Sequence, residues 1–178
     1  MEVNKKWIWF TCILIGCMLF SFFNFKDYIF PPKQMKFSLK SLHPEVQFAM
    51  EQLKENVQKK GITIQIIEGF RSIDEQNQLY EQGRTRAGKI ITYAKGGQSY
   101  HNYGLAIDFA IYDKEKQTLS WDIQKDGNKN GVADWDEVVQ EAKKLGFSWG
   151  GDWRSFKDYP HLEMTFDQSI DELQDVIR

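Results

Sequence analysis

Residues 99–108 read Ser-Tyr-His-Asn-Tyr-Gly-Leu-Ala-Ile-Asp, and residues 158–161 read Asp-Tyr-Pro-His. Together the two segments hold two of the three histidines of the chain, with carboxylates close by. A catalytic zinc site uses three nitrogen or oxygen ligands, keeps a fourth position for water and has a further carboxylate in reach as base. His101, Asp108 and His161 fit the ligand role, and Asp158 fits the role of the base.

The first segment alone is compatible with metal binding but does not require it. Gly104 lies between His101 and Asp108 and allows the backbone to turn, so that a loop residue and a strand residue can face one point. A histidine and an aspartate at this spacing are also common as hydrogen-bonded surface groups. Both interpretations stay open at this stage.

The residues that follow Gly104 alternate in the manner of a β-strand. One face carries large apolar side chains, at Leu105, Ile107, Phe109 and Ile111. The opposite face places Asp108 between Ala106 and Ala110. His161 begins a similar alternation, with polar groups at His161, Glu163 and Thr165. We therefore expect Asp108 to lie on a strand face without bulky side chains, and His161 to share a strand face with polar groups.

Helical signals are interspersed with these strands. Capping-box patterns begin at Ser72 and at Ser169, and Pro44 begins an apolar pattern at helical spacing. The predicted elements are helices at 44–60, 72–83, 135–145 and from 169, and strands at 62–68, 105–111, 147–149 and from 161. Because strands and helices do not alternate regularly, the predicted fold class is α+β, with a small antiparallel sheet flanked by helices.

Composition excludes several classes of function. The 178 residues are enough for one catalytic domain. The net charge of -2 and the absence of a basic stripe argue against nucleic-acid binding. Both cysteines, Cys12 and Cys17, lie in the first 25 residues, so the rest of the chain has no thiol for a disulfide, a nucleophile or a thiolate metal site.

The amino-terminal segment predicts attachment to a membrane. Lys5 and Lys6 precede an uncharged, mostly apolar run at residues 7–25, which is long enough to span a bilayer. We expect residues 1–25 to be a membrane anchor or signal segment that leaves the remainder on the extracytoplasmic face. The sequence Leu-Ile-Gly-Cys that ends at Cys17 also resembles a lipobox, so a lipoprotein acylated at Cys17 is the alternative to an uncleaved anchor.

The rest of the chain divides into a linker and a domain. Residues 26–36 are polar and contain Pro31-Pro32, which is typical of a short spacer. Residues 37–178 are then the exported domain, and we expect it to be a monomer.

A second sequence pattern indicates a calcium-binding loop. Residues 126–137 match the twelve-residue EF-hand loop, although a strand instead of a helix is predicted to enter it. A solvated Asn/Gly turn before a helix is the alternative interpretation. The residues that would supply calcium ligands are Asp126, Asn128, Asn130, Val132 (through its carbonyl), Asp134 and Glu137.

The combined motifs resemble one family. The pattern S-x-H-x2-G-x-A-x-D at 99–108, W-G-G-D-W at 149–153 and D-x-P-H at 158–161 resembles the zinc peptidases of the lysostaphin, D-Ala-D-Ala peptidase and sonic hedgehog superfamily. Within this superfamily the chain is most similar to the L-alanyl-D-glutamate endopeptidases of bacterial peptidoglycan and to VanY-like D-alanyl-D-alanine carboxypeptidases. The resemblance covers residues 39–165 and implies a hedgehog/D-Ala-D-Ala peptidase-like fold.

The resemblance also implies roles for individual residues. It implies zinc ligands at His101, Asp108 and His161, a general base at Asp158 and a substrate-facing arginine at Arg71. Glu163 is the alternative candidate for the base, and an ordinary surface ion pair is the alternative for Arg71.

The activity implied by the resemblance is hydrolysis of peptidoglycan stem peptides with zinc as the cofactor. An aspartate as base is typical of the L-alanyl-D-glutamate branch, whereas the D-Ala-D-Ala dipeptidase branch uses a glutamate, so we expect an L-alanyl-D-glutamate endopeptidase. A D-alanyl-D-alanine carboxypeptidase is the first alternative. A wall-binding module without catalysis is the second.

Overall fold

The computed structural model describes residues 40–176. The helices are α1 (Pro44–Lys59), α2 (Ile73–Glu81), α3 (Asp134–Lys144) and α4 (Ile170–Val176), and the strands are β1 (Ile64–Glu68), β2 (Ala106–Asp113), β3 (Thr118–Ser120), β4 (Ser148–Trp149) and β5 (His161–Glu163). The predictions for residues 1–25 and 26–36 fall outside this part of the chain. Among residues 40–176, no helix has both the length and the apolar character needed to cross a bilayer.

Helices α2 and α4 begin where their capping residues predict. At the start of α2 the Ser72 hydroxyl accepts a hydrogen bond from the Glu75 backbone N–H at 3.2 Å, and the Glu75 carboxylate accepts one from the Ser72 N–H at 2.8 Å. Ser169 and Glu172 make the same reciprocal pair before α4. Each pair satisfies backbone donors that have no partner within the first helical turn, which fixes where the helix starts.

The sheet is antiparallel throughout, with the strand order β1-β2-β5-β4 and β3 paired to the far end of β2. Strand β2 is therefore central and pairs with three neighbours. Its register places Asp108 opposite His161 on β5 and opposite Glu68 on β1, where the β1–β2 pairing shifts by a bulge. The α+β class and the antiparallel sheet are confirmed.

One face of the sheet packs against helices and forms the core. The apolar residues of β2 lie on this face, where the ring of Phe109 packs on Trp135 of α3 with 4.6 Å between ring centroids. Helix α1 contributes a buried stripe and packs against α3 and β1. The stripe consists of Val46, Ala49, Leu53 and Val57.

Gly104 connects the first motif to β2 through a backbone conformation that other residues rarely adopt. Its φ of 68° lies in the left-handed region, and a Cβ atom at this position would lie 2.3 Å from the carbonyl oxygen of Ser41. Glycine is therefore required both by its φ angle and by the close approach of the chain near residue 41.

Three short elements differ from the sequence prediction. Strand β3 was not predicted, and neither were the two 3-10 turns at Tyr100–Tyr103 and Gly150–Asp152. Segments of three or four residues are too short to show a period of 2 or 3.6, so the sequence carries no signal for them. His101 consequently lies in a helical turn and not in an extended loop.

We predict that Leu53→Ala lowers the free energy of unfolding by about 2–5 kcal/mol, because it removes a fully buried side chain of α1 and leaves a cavity. Phe48→Ala on the same helix is the matched control: Phe48 is 68% exposed, so its loss should change stability by less than about 0.5 kcal/mol. Urea unfolding of both variants measures the difference. Equal effects would contradict the assignment of the α1 core face.

Candidate metal centre

Three predicted ligands come together on the sheet face opposite the one that packs against α1 and α3. His101 Nε2 lies 3.3 Å from Asp108 Oδ1, His161 Nδ1 lies 3.1 Å from the same oxygen, and the two ring nitrogens are 3.2 Å apart. In the described part of the chain, these residues form the group of His, Cys, Asp or Glu side chains whose ligand atoms all lie within 4.8 Å of one another.

The spacing of these atoms fits a tetrahedral metal ion. Ligand atoms about 2.0–2.1 Å from a tetrahedral zinc are separated from each other by about 3.3 Å. The three observed separations lie close to this value. Two imidazoles and one carboxylate also form a donor set that zinc accepts, and three protein ligands leave one coordination position open. The residues present therefore fit a catalytic type of zinc site.

Each ligand is positioned by a different element. His101 lies in the 3-10 turn that Gly104 ends, Asp108 lies on the central strand β2, and His161 begins β5. The antiparallel pairing of β2 and β5 sets Asp108 directly opposite His161. Both histidines are buried, whereas the Asp108 side chain keeps 20% of its surface exposed, so the site opens to solvent on the carboxylate side.

The outer ring nitrogen of each histidine has its own partner. His101 Nδ1 lies 2.6 Å from the carbonyl oxygen of Gly69, and His161 Nε2 lies 3.0 Å from Glu163 Oε2. Both partners are acceptors, so each outer nitrogen carries the proton when the ring is neutral. His101 then offers Nε2 to a metal and His161 offers Nδ1. Sequence reasoning missed both partners.

Hydrogen bonds and charges within the cluster shift the pKa values of Asp108 and His161 strongly. Burial alone would raise the pKa of Asp108, but hydrogen bonds with His101 and His161 hold it well below its ordinary value. Burial likewise opposes protonation of His161, yet the hydrogen bonds and negative charges of Asp108 and Glu163 raise its pKa to about 9. The cluster therefore combines a negatively charged Asp108 with a positively charged His161, which also contacts the Glu163 carboxylate.

Asp158 is held near this cluster by a close backbone contact. Its N–H donates to the Gly150 carbonyl at 3.2 Å, and a Cβ atom on Gly150 would lie 2.5 Å from the Asp158 carbonyl oxygen. The first glycine of the W-G-G-D-W motif thus allows the two segments to pack together. Burial and the charge of Asp108 raise the pKa of Asp158, while His161, His101 and Arg71 oppose this shift. Its role as a base stays a prediction.

Arg71 borders the cluster but is bound by protein groups in this structure. Its Nη1 donates to Gln76 Oε1 at 2.8 Å and its Nη2 to Glu68 Oε2 at 3.2 Å. Its backbone N–H donates to the carbonyl of His101 at 3.0 Å, which connects Arg71 directly to a predicted ligand. The alternative interpretation, an ion pair, is thus present with Glu68, and contact with substrate stays a prediction.

The geometry separates the two candidates for the base. Glu163 bonds the far nitrogen of the His161 ring, on the opposite side of the imidazole from Asp108 and His101. A base must reach the water beside the metal. The imidazole ring lies between Glu163 and the ligand atoms of Asp108 and His101, and Asp158 stays the predicted base.

The calcium prediction receives no support from the arrangement of residues 126–137. The Glu137 carboxylate accepts from the side-chain amides of Asn128 at 2.7 Å and Asn130 at 2.9 Å, and from the Lys60 ammonium at 3.3 Å. The positive charge beside Glu137 therefore comes from a lysine that lies outside the motif. Calcium binding here stays a prediction.

The chain is similar to known peptidases, which agrees with the geometry of the predicted zinc site. Residues 92–164 match a family model described as D-alanyl-D-alanine carboxypeptidase. Over 123 residues the chain is 60% identical to the peptidoglycan L-alanyl-D-glutamate endopeptidase CwlK of Bacillus subtilis strain 168, which covers 69% of this chain and 73% of that protein. It is 29% identical over 130 residues to the L-alanyl-D-glutamate peptidase of Listeria phage A118, which covers 72% of this chain and 40% of that protein.

The fold is also similar to solved structures. DacB from Streptococcus pneumoniae D39 aligns with a TM-score of 0.51 at 20% identity, covering 77% of this chain and 73% of that chain. At this identity the likeness shows the α+β fold alone. The region matched by the family model contains His101, Asp108, Asp158 and His161, whereas Arg71 lies before it.

We predict that zinc binding near neutral pH releases a proton from His161. With its pKa raised to about 9, the metal-free ring is protonated at pH 7.5 and must lose a proton before Nδ1 can bind. The apparent zinc affinity should therefore rise about tenfold for each pH unit between about pH 7.5 and 8.5 and level off above the pKa. Competition with a chelator measures this slope. An affinity independent of pH across this window would contradict the assignment.

Proposed function

The chain belongs to the peptidase family that includes the endopeptidase CwlK and the D-alanyl-D-alanine carboxypeptidases, and we propose that it is a zinc-dependent endopeptidase of peptidoglycan. In this proposal the enzyme hydrolyses the bond between L-alanine and D-glutamate in the stem peptides of the bacterial wall. The resemblance of the sequence motifs to this family is confirmed by the 60% identity to CwlK.

The observation that carries the proposal is the convergence of His101, Asp108 and His161 to within 3.3 Å of one another. Two of them are buried histidines whose outer nitrogens are already bonded, so the inner nitrogens point at a common centre. The alignment with CwlK, which is 60% identical and covers 73% of that protein, supports the substrate class. Together these findings favour a metallopeptidase over a module that only binds the wall.

In the proposed hydrolysis of the amide bond, the metal and the protein side chains have different roles. When bound, zinc acidifies a water molecule and polarises the scissile carbonyl. Asp158 accepts the proton of the attacking water and delivers it to the departing amine. Burial, which raises the pKa of Asp158, makes its carboxylate a better proton acceptor than an exposed aspartate.

Arg71 has an electrostatic role in this proposal. Its guanidinium, fixed by Gln76 and Glu68, neutralises part of the negative charge that develops on the substrate oxygen. Because the Arg71 N–H also donates to the His101 carbonyl, the arginine and the metal ligand keep a constant relative position. Preorganised charge of this kind lowers the barrier without reorganisation during the reaction.

The family model also fits a D-alanyl-D-alanine carboxypeptidase, which is the alternative activity. That enzyme would release free D-alanine from the carboxyl end of the stem peptide, whereas the endopeptidase creates a new amino-terminal D-glutamate. The aspartate at position 158 and the identity to CwlK favour the endopeptidase.

The proposal also includes a location. Residues 1–25 would hold the domain at the outer face of the cell membrane, either as an uncleaved anchor or through acylation of Cys17. The apolar run at 7–25 behind Lys5 and Lys6 supports this location. A domain held there by the 26–36 linker would face the wall.

The activity is tested by digestion of purified muropeptides followed by mass spectrometry. We expect new amino-terminal D-glutamate and no free D-alanine. Release of D-alanine alone would support the carboxypeptidase. No cleavage by protein that contains zinc would support the binding module.

We predict that Asp158→Asn reduces kcat by about 10²–10⁴-fold, because the amide cannot accept the proton, while the zinc content stays unchanged. Asp152→Asn is the matched control: its carboxylate is 56% exposed and pairs with Lys143, so activity should be retained. Kinetics and metal analysis of both variants give the comparison. An Asp158→Asn variant with wild-type kcat would remove Asp158 from the mechanism.

A further inference from the structure

The contact between Glu163 and His161 takes no direct part in the proton transfers described above. Glu163 Oε2 lies 3.0 Å from His161 Nε2, and the two side chains keep only 10% and 8% of their surface exposed. A buried carboxylate is costly unless it is paired, so a glutamate at this position needs its histidine partner.

The sheet explains why the two side chains meet. His161 and Glu163 are two residues apart on β5 and therefore project from the same face. The neighbours of Glu163 in the register are Ala106 on β2 and Ser148 on β4, both with small side chains. Neither neighbour is bulky, so the carboxylate of Glu163 can turn back along the strand to the imidazole.

We propose that Glu163 is a positioning residue for the metal ligand His161. Its carboxylate accepts the Nε2 proton, which fixes the ring orientation and the tautomer that leaves Nδ1 free, 3.1 Å from Asp108 and 3.2 Å from His101. A negatively charged acceptor also makes the ring a stronger electron donor to a metal. This inference rests on the proposed metal site and assigns to Glu163 a function separate from that of the base.

The two histidines are oriented by chemically different groups. His101 donates to the neutral backbone carbonyl of Gly69, which no substitution removes directly. His161 depends on a side chain, so its orientation can be altered by a single replacement. Because of this difference, replacing Glu163 can change the metal affinity while all three ligand residues stay in place.

Zinc affinity of the full chain, measured by competition with a chelator, tests the proposal. Loss of such an outer partner typically weakens metal binding 10–100-fold, and we expect this for Glu163→Ala. Glu163→Gln keeps an oxygen that can accept the Nε2 proton but loses the charge, so its affinity should lie between those of wild type and Glu163→Ala. Glu163→Ala with wild-type affinity would overturn the proposal.

A matched control separates positioning from stability. Glu141 on α3 is another buried carboxylate, paired with Lys60 at 3.1 Å and with Lys144 at 2.8 Å. Glu141→Ala should lower the stability of the fold and leave zinc affinity unchanged. An equal loss of affinity in both alanine variants would show that Glu163 acts only through stability, which overturns the proposal.

If Glu163→Ala does not fold, an NMR measurement tests whether Glu163 orients His161. In the zinc-loaded wild type, the His161 Nε2 proton should resonate far downfield because it donates to a carboxylate. In Glu163→Gln this signal should move upfield, and an unchanged shift would overturn the proposal. Failure of the wild type itself to bind zinc would instead refute the proposed function on which the inference rests.

Discussion

The pairing of β2 with β5 is the constraint on which the rest of the site depends. It sets Asp108 opposite His161 and so brings together two residues that are far apart in the chain. A shift of one residue in this register would turn His161 to the other face of the sheet. Leu162 of β5 and the large apolar residues of β2 prevent such a shift, because both sets must remain on the face that forms the core. The core therefore fixes the position of the ligands.

The site is surrounded by contacts that fix its geometry before any ligand arrives. Gly69 and Glu163 orient the two imidazoles, and Gly104 ends the turn that carries His101. Backbone hydrogen bonds connect Arg71 to His101 and Asp158 to Gly150. A site that is preorganised in this way loses little free energy to rearrangement when a metal or substrate binds. Close backbone approaches explain why glycine is needed at positions 104 and 150.

Much of this arrangement could be predicted from local sequence. Alternation around Asp108 predicts β2, and the capping box at Ser72 marks the start of α2 as observed. The partners of the two histidines could not be predicted so directly. Gly69 contacts His101 through a backbone carbonyl, which leaves no trace in residue identity. The sequence motifs indicate Glu163 only as an alternative base, although its position two residues from His161 on one strand face is the signal for its contact with the ring. Lys60 reaches Glu137 from a distant helix end, a contact that no local pattern encodes.

Anomalous diffraction from a zinc-loaded crystal tests the central claim most directly. The account predicts a zinc peak about 2.0–2.2 Å from His101 Nε2, Asp108 Oδ1 and His161 Nδ1, with one further position open to solvent. A zinc ion bound through Nε2 of His161, or a zinc peak remote from these three atoms, would contradict the account.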